Sequence, residues 1–179
     1  VNTYALFAEL FATCARNSAI VIPTGIATDA TTAPFFSHLV EKEHIRALLG
    51  FREIRRWFTA TDDRNSFSLL ALAENAKSAI FAFSLDAIAD ISHPNRRFTL
   101  TPSEIAAINP NTKTAPIFRS KADADLTKKI YARVPVLIDE AKGKHGNSWG
   151  IEFQAMFHMS GDSDSFHTAQ QLSKQGLIR

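Results

Sequence analysis

Four consecutive apolar residues, Ala19-Ile20-Val21-Ile22, stopped by Pro23-Thr24-Gly25, constrain this chain more than any other feature. Three of the four are β-branched, and such side chains crowd a helical turn but pack well on a pleated surface. A short run that is apolar at every position, not at alternate ones, reads as a strand buried on both faces. Before it, Phe7, Leu10, Phe11 and Cys14 recur at helical spacing, so residues 3–15 read as an amphipathic helix with one apolar stripe. Helix, buried strand, glycine-bearing loop and helix, in that order, are the rhythm of a parallel sheet covered on both sides.

The rest of the chain continues that rhythm for about half its length. A second helix is expected to start near Asp29, whose side chain suits a cap, and to carry Phe35, Phe36, Leu39 and Val40 inward. Residues 45–51, 67–73 and 79–83 read as further strands, with a polar loop over 52–65 that also holds Trp57 and Phe58. Near residue 85 the character changes to short elements separated by Pro, Asn and Ser. Among them, Thr101-Pro102-Ser103-Glu104 combines a capping box with proline at the first helical position, and 120–133 forms another helix. The polar stretch 139–148 reads as a flexible loop or linker.

Composition bounds the function classes. With 179 residues, 45% of them apolar and 21% charged, the chain can bury a core as one domain, or one domain with an appendage. Its 20 basic and 18 acidic residues leave a net charge of +2, so any phosphate-binding surface must be local. The single cysteine, Cys14, excludes an internal disulfide and sits on the apolar stripe, where a buried, inert thiol is expected. The first fifteen residues hold Glu9 and no Lys or Arg, unlike a signal peptide, and no apolar run is long enough to span a bilayer. A cytoplasmic protein without membrane partners is the expectation. Val1 is not a methionine and the chain enters a helical pattern at once, so it reads as a fragment.

The segment Y-A-L-F-A-E-L-F…I-V-I-P-T-G-I-A-T-D, from Tyr4 to Asp29, resembles the part of adenine-specific (N6) DNA methyltransferases that follows their catalytic Asp/Asn-Pro-Pro-Tyr/Phe loop. The likeness extends through F-F-S-H-L-V-E-K, the Gly50-Phe51-Arg52-Glu53 strand end and the F-S-L-L-A-L strand. It continues in N-P-N-T-K-T-A-P-I-F-R-S and L-T-K-K-I-Y, which are similar to the connector toward target recognition in these restriction-modification enzymes. The resemblance covers roughly residues 3–160 and draws its specificity from the ordered set. It implies an α/β fold: a partial, second-half Rossmann-like methyltransferase sheet over residues 1–88, then an irregular α-rich connector over 89–179. It also implies S-adenosylmethionine as cofactor of a parent enzyme and DNA as its partner. The glycine-rich cofactor loop and the Pro-Pro-aromatic loop are both missing from the sequence, so no catalytic residue is assigned and activity of this chain alone is not expected. Asn109-Pro110-Asn111 lacks the second proline and the aromatic, and reads as a turn.

Candidate site residues follow. The resemblance points to Phe67 as the aromatic that packs on a flipped base, against the plainer reading of a strand core residue. Pro23, Thr24 and Gly25 end a strand at the edge where open α/β sheets place ligands, although a plain turn accounts for them as well. Arg52, Arg55, Arg56 and Trp57 interleave cations with an aromatic, which suits phosphate contact and base stacking. A solvated loop pinned by its aromatics is the alternative, since Glu53, Asp62 and Asp63 are nearby. The six histidines show no metal-ligand spacing. A non-catalytic module that binds DNA or a protein through the Arg/Trp loop is the second functional reading. The Ile20-Val21-Ile22 strand is expected to leave one edge unpaired, open to a second copy of the chain.

Overall fold

Residues 2–55, 57–60, 62, 64–154 and 156–177 are described by the computed structural model. In chain order the elements are α1 (Thr3–Cys14), β1 (Asn17–Pro23), α2 (Gly25–Thr28), α3 (Ala33–Glu41), β2 (Ile45–Arg52), β3 (Ser66–Ala73), β4 (Ala79–Leu85), β5 (Phe98–Leu100), α4 (Pro102–Ile108), α5 (Lys121–Tyr131) and α6 (Ala169–Lys174). One compact unit spans Val1–Ser148 and a second Trp149–Arg179.

The first unit is α/β, built on a mixed five-stranded sheet of order β1-β3-β2-β4-β5. β3 runs antiparallel to both β1 and β2, so those two point the same way, and β4 lies parallel to β2. Side chains alternate along β3: Ser68, Leu70 and Leu72 are buried on one face, while Phe67, Leu69 and Ala71 are half-buried on the other. On the first face Ile22, Leu48, Leu70, Phe81, Phe98 and Leu100 pack under α1, α3 and α4, through Ala8, Phe36, Leu39 and Ile105. Phe83 lies across Gly50, where an added Cβ would come within 2.9 Å of its ring, so only glycine lets the two strands meet there.

The second face is covered at one end alone, by Phe51, Phe67 and Leu85 with Ile91. β1 is therefore not buried on both faces, as its apolar run suggests: Val21 is 53% exposed and only Ile22 of the strand is fully buried. β1 ends the strand order, so no strand pairs its outer side among the described residues.

α1 also departs from expectation. Its stripe of Phe7, Leu10 and Phe11 faces outward and Cys14 is exposed, not buried. The helix is seated on the sheet by Ala8, with Tyr4, Ala5 and Ala12 beside it. Small side chains allow a close approach of backbones, and that approach outweighs the larger stripe's area. Asp29 does not open the second helix either. It follows α2, and α3 starts four residues later after Thr32, whose hydroxyl donates to Gly25 O at 2.7 Å and is thereby spent on the turn.

Residues 98–131 contribute to the same core as the strands, through Phe98, Leu100, Ile105, Ile108 and Ala124. Thr101 caps α4 as expected: its hydroxyl accepts from Glu104 N–H, and Glu104 in turn accepts from Thr101 N–H at 2.8 Å. The stretch read as a flexible linker is instead an ordered turn. Asn111 bridges it, donating to Ile138 O at 3.1 Å and accepting from Glu140 N–H at 2.9 Å, while Asp139 N–H donates to Gly146 O. Asn109-Pro110-Asn111 is itself a turn. In the second unit α6 has its own capping box between Thr168 and Gln171, and Phe153, Met156 and Met159 are largely exposed.

Two substitutions separate core from cap. Leu70→Ala empties a fully buried position of the central strand and is expected to cost about 2–5 kcal/mol. Thr101→Ala removes one cap and is expected to cost about 1 kcal/mol. Urea unfolding followed by far-UV circular dichroism ranks them, and equal losses would contradict the placement of β3 at the centre.

Candidate functional site at the strand-end edge

Because β1, β2 and β4 run one way and β3 the other, the C-terminal ends of three strands and the start of β3 share one sheet edge. Pro23 and Phe67 are Cα partners across β1 and β3, and Phe51 and Phe67 are partners across β2 and β3. Two backbone bonds close the base of the intervening loop: Thr24 N–H donates to Ser66 O at 3.1 Å, and Glu53 N–H to Asn65 O at 3.2 Å.

These constraints enclose a cavity of about 440 Å³ lined by Val21, Ile22, Pro23, Glu53, Phe58, Asn65, Ser66 and Phe67. That size lies in the range of about 300–1,000 Å³ typical of small-molecule sites. Its aromatic wall is a cluster. The rings of Phe51 and Phe67 stack with centroids 5.3 Å apart and planes 9° apart, while Trp57 and Phe58 meet Phe67 edge-on at 6.2 and 5.1 Å. Trp57 remains 37% exposed. The loop thus folds back onto the sheet through its aromatics.

Glu53 is the residue that the sequence reading passed over. It is 1% exposed, although it sits in a loop of charged residues. Its Oε1 accepts from Phe58 N–H at 2.9 Å, and Oε2 is buried without a hydrogen-bond partner among the described residues. A glutamate beside arginines reads as solvated, and only its spacing of five residues from an aromatic that the sheet recaptures hints otherwise.

The other candidates fall into two groups. Thr24 and Gly25 belong to the framework: Thr24 Oγ1 and Ser68 Oγ share a buried hydrogen bond of 2.9 Å, and a Cβ on Gly25 would meet Asp29 Oδ2 at 2.4 Å. Of the basic residues, Arg52 is turned to Asp86, with Nε donating to Oδ1 at 2.7 Å and Nη2 to Oδ2 at 2.6 Å. Arg55 is exposed on the turn after β2, and Arg56 lies outside the described residues. No group of histidine, cysteine or carboxylate side chains among the described residues is arranged to hold a metal ion. No described helix is long and apolar enough to cross a membrane.

The Arg52 hydrogen bonds, reinforced by its charge, hold the Asp86 carboxyl below its ordinary value of 3.8 against the opposing effects of burial and Asp90. Asp90 is lowered too, because its Oδ2 accepts from the backbone N–H groups of Asp86 and Ala87 at 2.8 and 2.9 Å. A carboxyl lowered in the fold contributes stability that is complete above its unfolded value and lost as the pH falls through the lowered one. The stability difference between wild type and Arg52→Gln is therefore expected to hold from pH 7 to about pH 5 and to shrink below 3.8. Urea midpoints measured across that range check it, and a difference that grows toward acid would contradict the pairing.

No family model matches this chain, and no curated protein or solved structure matches it either.

Proposed function

We propose that this chain supplies the trailing half of the catalytic sheet of an S-adenosylmethionine-dependent DNA adenine-N6 methyltransferase of a restriction-modification system. The cavity at Pro23, Glu53, Phe58 and Phe67 is then one wall of the pocket for the target base. One observation carries the reading. Phe67, selected by resemblance as the base-stacking aromatic, and Pro23, selected as the strand-end residue, are register partners that line the same cavity. The unpaired outer side of β1 adds support, since the strands that bear the chemistry in such a sheet would pair there.

The residues at this edge do not fit the methyl donor itself. Thr24 Oγ1 is committed to Ser68, and the space over Gly25 is filled by the Asp29 carboxylate, which leaves no backbone cradle for an anionic or ribose group. No step of methyl transfer is assigned to any residue here. The chain's own part is to stack on an extruded base and to shield it from water, which suits a planar ring entering between aromatic side chains.

Translation of the gene upstream of the Val1 codon, followed by assay of that longer product for methyl transfer to duplex DNA, tests the reading. A glycine-rich loop and a Pro-Pro-aromatic loop are expected in the upstream frame. Phe67→Ala in the longer product is expected to slow transfer roughly ten- to a hundredfold, since stacking of a base on an aromatic is worth about 1–3 kcal/mol. An upstream frame without those loops, or a product that contains them and leaves adenine unmethylated, would overturn the proposal.

A further inference from the structure

Glu53 Oε2 is out of solvent and lacks a donor among the described residues, while Oε1 is fixed by Phe58 N–H. An unmatched buried carboxylate oxygen is costly, and such atoms in folded proteins call for a specific explanation. The cavity that Glu53 lines supplies one. Its remaining walls are mostly apolar, with Val21 and Pro23 on one strand and the rings of Phe58 and Phe67 opposite. A ligand that suits both features is flat, apolar on its faces and armed with an N–H at its edge.

Two chemical classes meet that description, and the site separates them. A guanidinium is planar but carries five N–H donors, all of which need acceptors once buried. The cavity offers one unmatched carboxylate oxygen in an apolar setting. A neutral nitrogen heterocycle with an amino group presents few donors and buries the rest of its surface against the rings.

We infer that Glu53 determines specificity in this cavity: Oε2 accepts a hydrogen bond from the amino group of a neutral nitrogen heterocycle stacked against Phe67 and Phe58. The inference rests on the base-pocket reading above for the identity of the heterocycle as a nucleobase, supplied either as a free nucleoside or from a strand of DNA. Glu53 here binds and selects; it transfers no proton and forms no bond.

Trp57 lies 6.2 Å from Phe67 and reports on the site, so the full chain carrying Trp149→Phe gives a fluorescence signal from Trp57 alone. Adenosine is expected to change that signal saturably and to bind at least tenfold more tightly than purine riboside, which has the same ring without the amino group. Methylguanidine is expected not to compete. In Glu53→Gln the Phe58 N–H keeps the amide oxygen at the Oε1 position, which places an NH₂ where Oε2 stood. The preference for adenosine over purine riboside is therefore expected to vanish. The wild-type comparison stands by itself if that variant fails to fold.

Equal binding of adenosine and purine riboside, no saturable change with adenosine, or competition by methylguanidine at the adenosine concentration would each overturn the inference. An oligodeoxyadenylate identifies the source: a gain in affinity over adenosine assigns a base presented on a strand, and no gain assigns the free nucleoside, either result being compatible with the Glu53 contact. The two proposals fail separately. Adenosine selectivity without methyl transfer by the longer gene product sinks the methyltransferase reading alone, and methyl transfer without adenosine selectivity sinks the Glu53 contact alone.

Discussion

The pairing of β3 on both of its sides fixes most of what this chain does structurally. A strand with two neighbours has no freedom to slip, because a shift of one residue would turn Ser68, Leu70 and Leu72 out of the core and bring Phe67 and Leu69 into it. Its antiparallel sense aligns β1 and β2, and its first residues deliver Phe67 to the edge where those two strands end. The cavity is thus a by-product of register. Pro23 and Phe51 flank Phe67 since the hydrogen-bond ladders leave them nowhere else to go.

Much of this was legible in the residues alone. Strands β1 to β4 and helices α1, α4 and α5 fall where periodicity, β-branched runs and the Thr101 cap locate them. What sequence could not supply was the identity of the partner surface. The α1 stripe of Phe7, Leu10 and Phe11 is a real amphipathic signal, yet it points outward because Ala5, Ala8 and Ala12 permit the closer contact. The apolar run of β1 likewise says nothing about how many layers cover it. Residues 139–148 look unstructured until Asn111, some 27 residues before Ile138, reaches across to hold them.

The candidate site divides in the same way. Phe67 and Pro23 were accessible by motif and by position at a strand end. Glu53 was not, since its burial comes from the return of Phe58 onto the sheet, and a charged loop gives no local sign of that. The role of Arg52 was equally hidden, because Asp86 is 34 residues away in the chain and is brought close by the parallel pairing of β2 with β4.

That Arg52–Asp86 bridge has an electrical consequence for the whole rim. Two opposite charges held 2.6 Å apart act at a distance as a small dipole, whose field fades much faster than that of a lone cation. A molecule drifting toward this end of the sheet therefore gains little guidance from Arg52 before it arrives. Selection at the rim must occur after touch, through fit and hydrogen-bond matching, and should depend only weakly on the ionic strength of the surroundings.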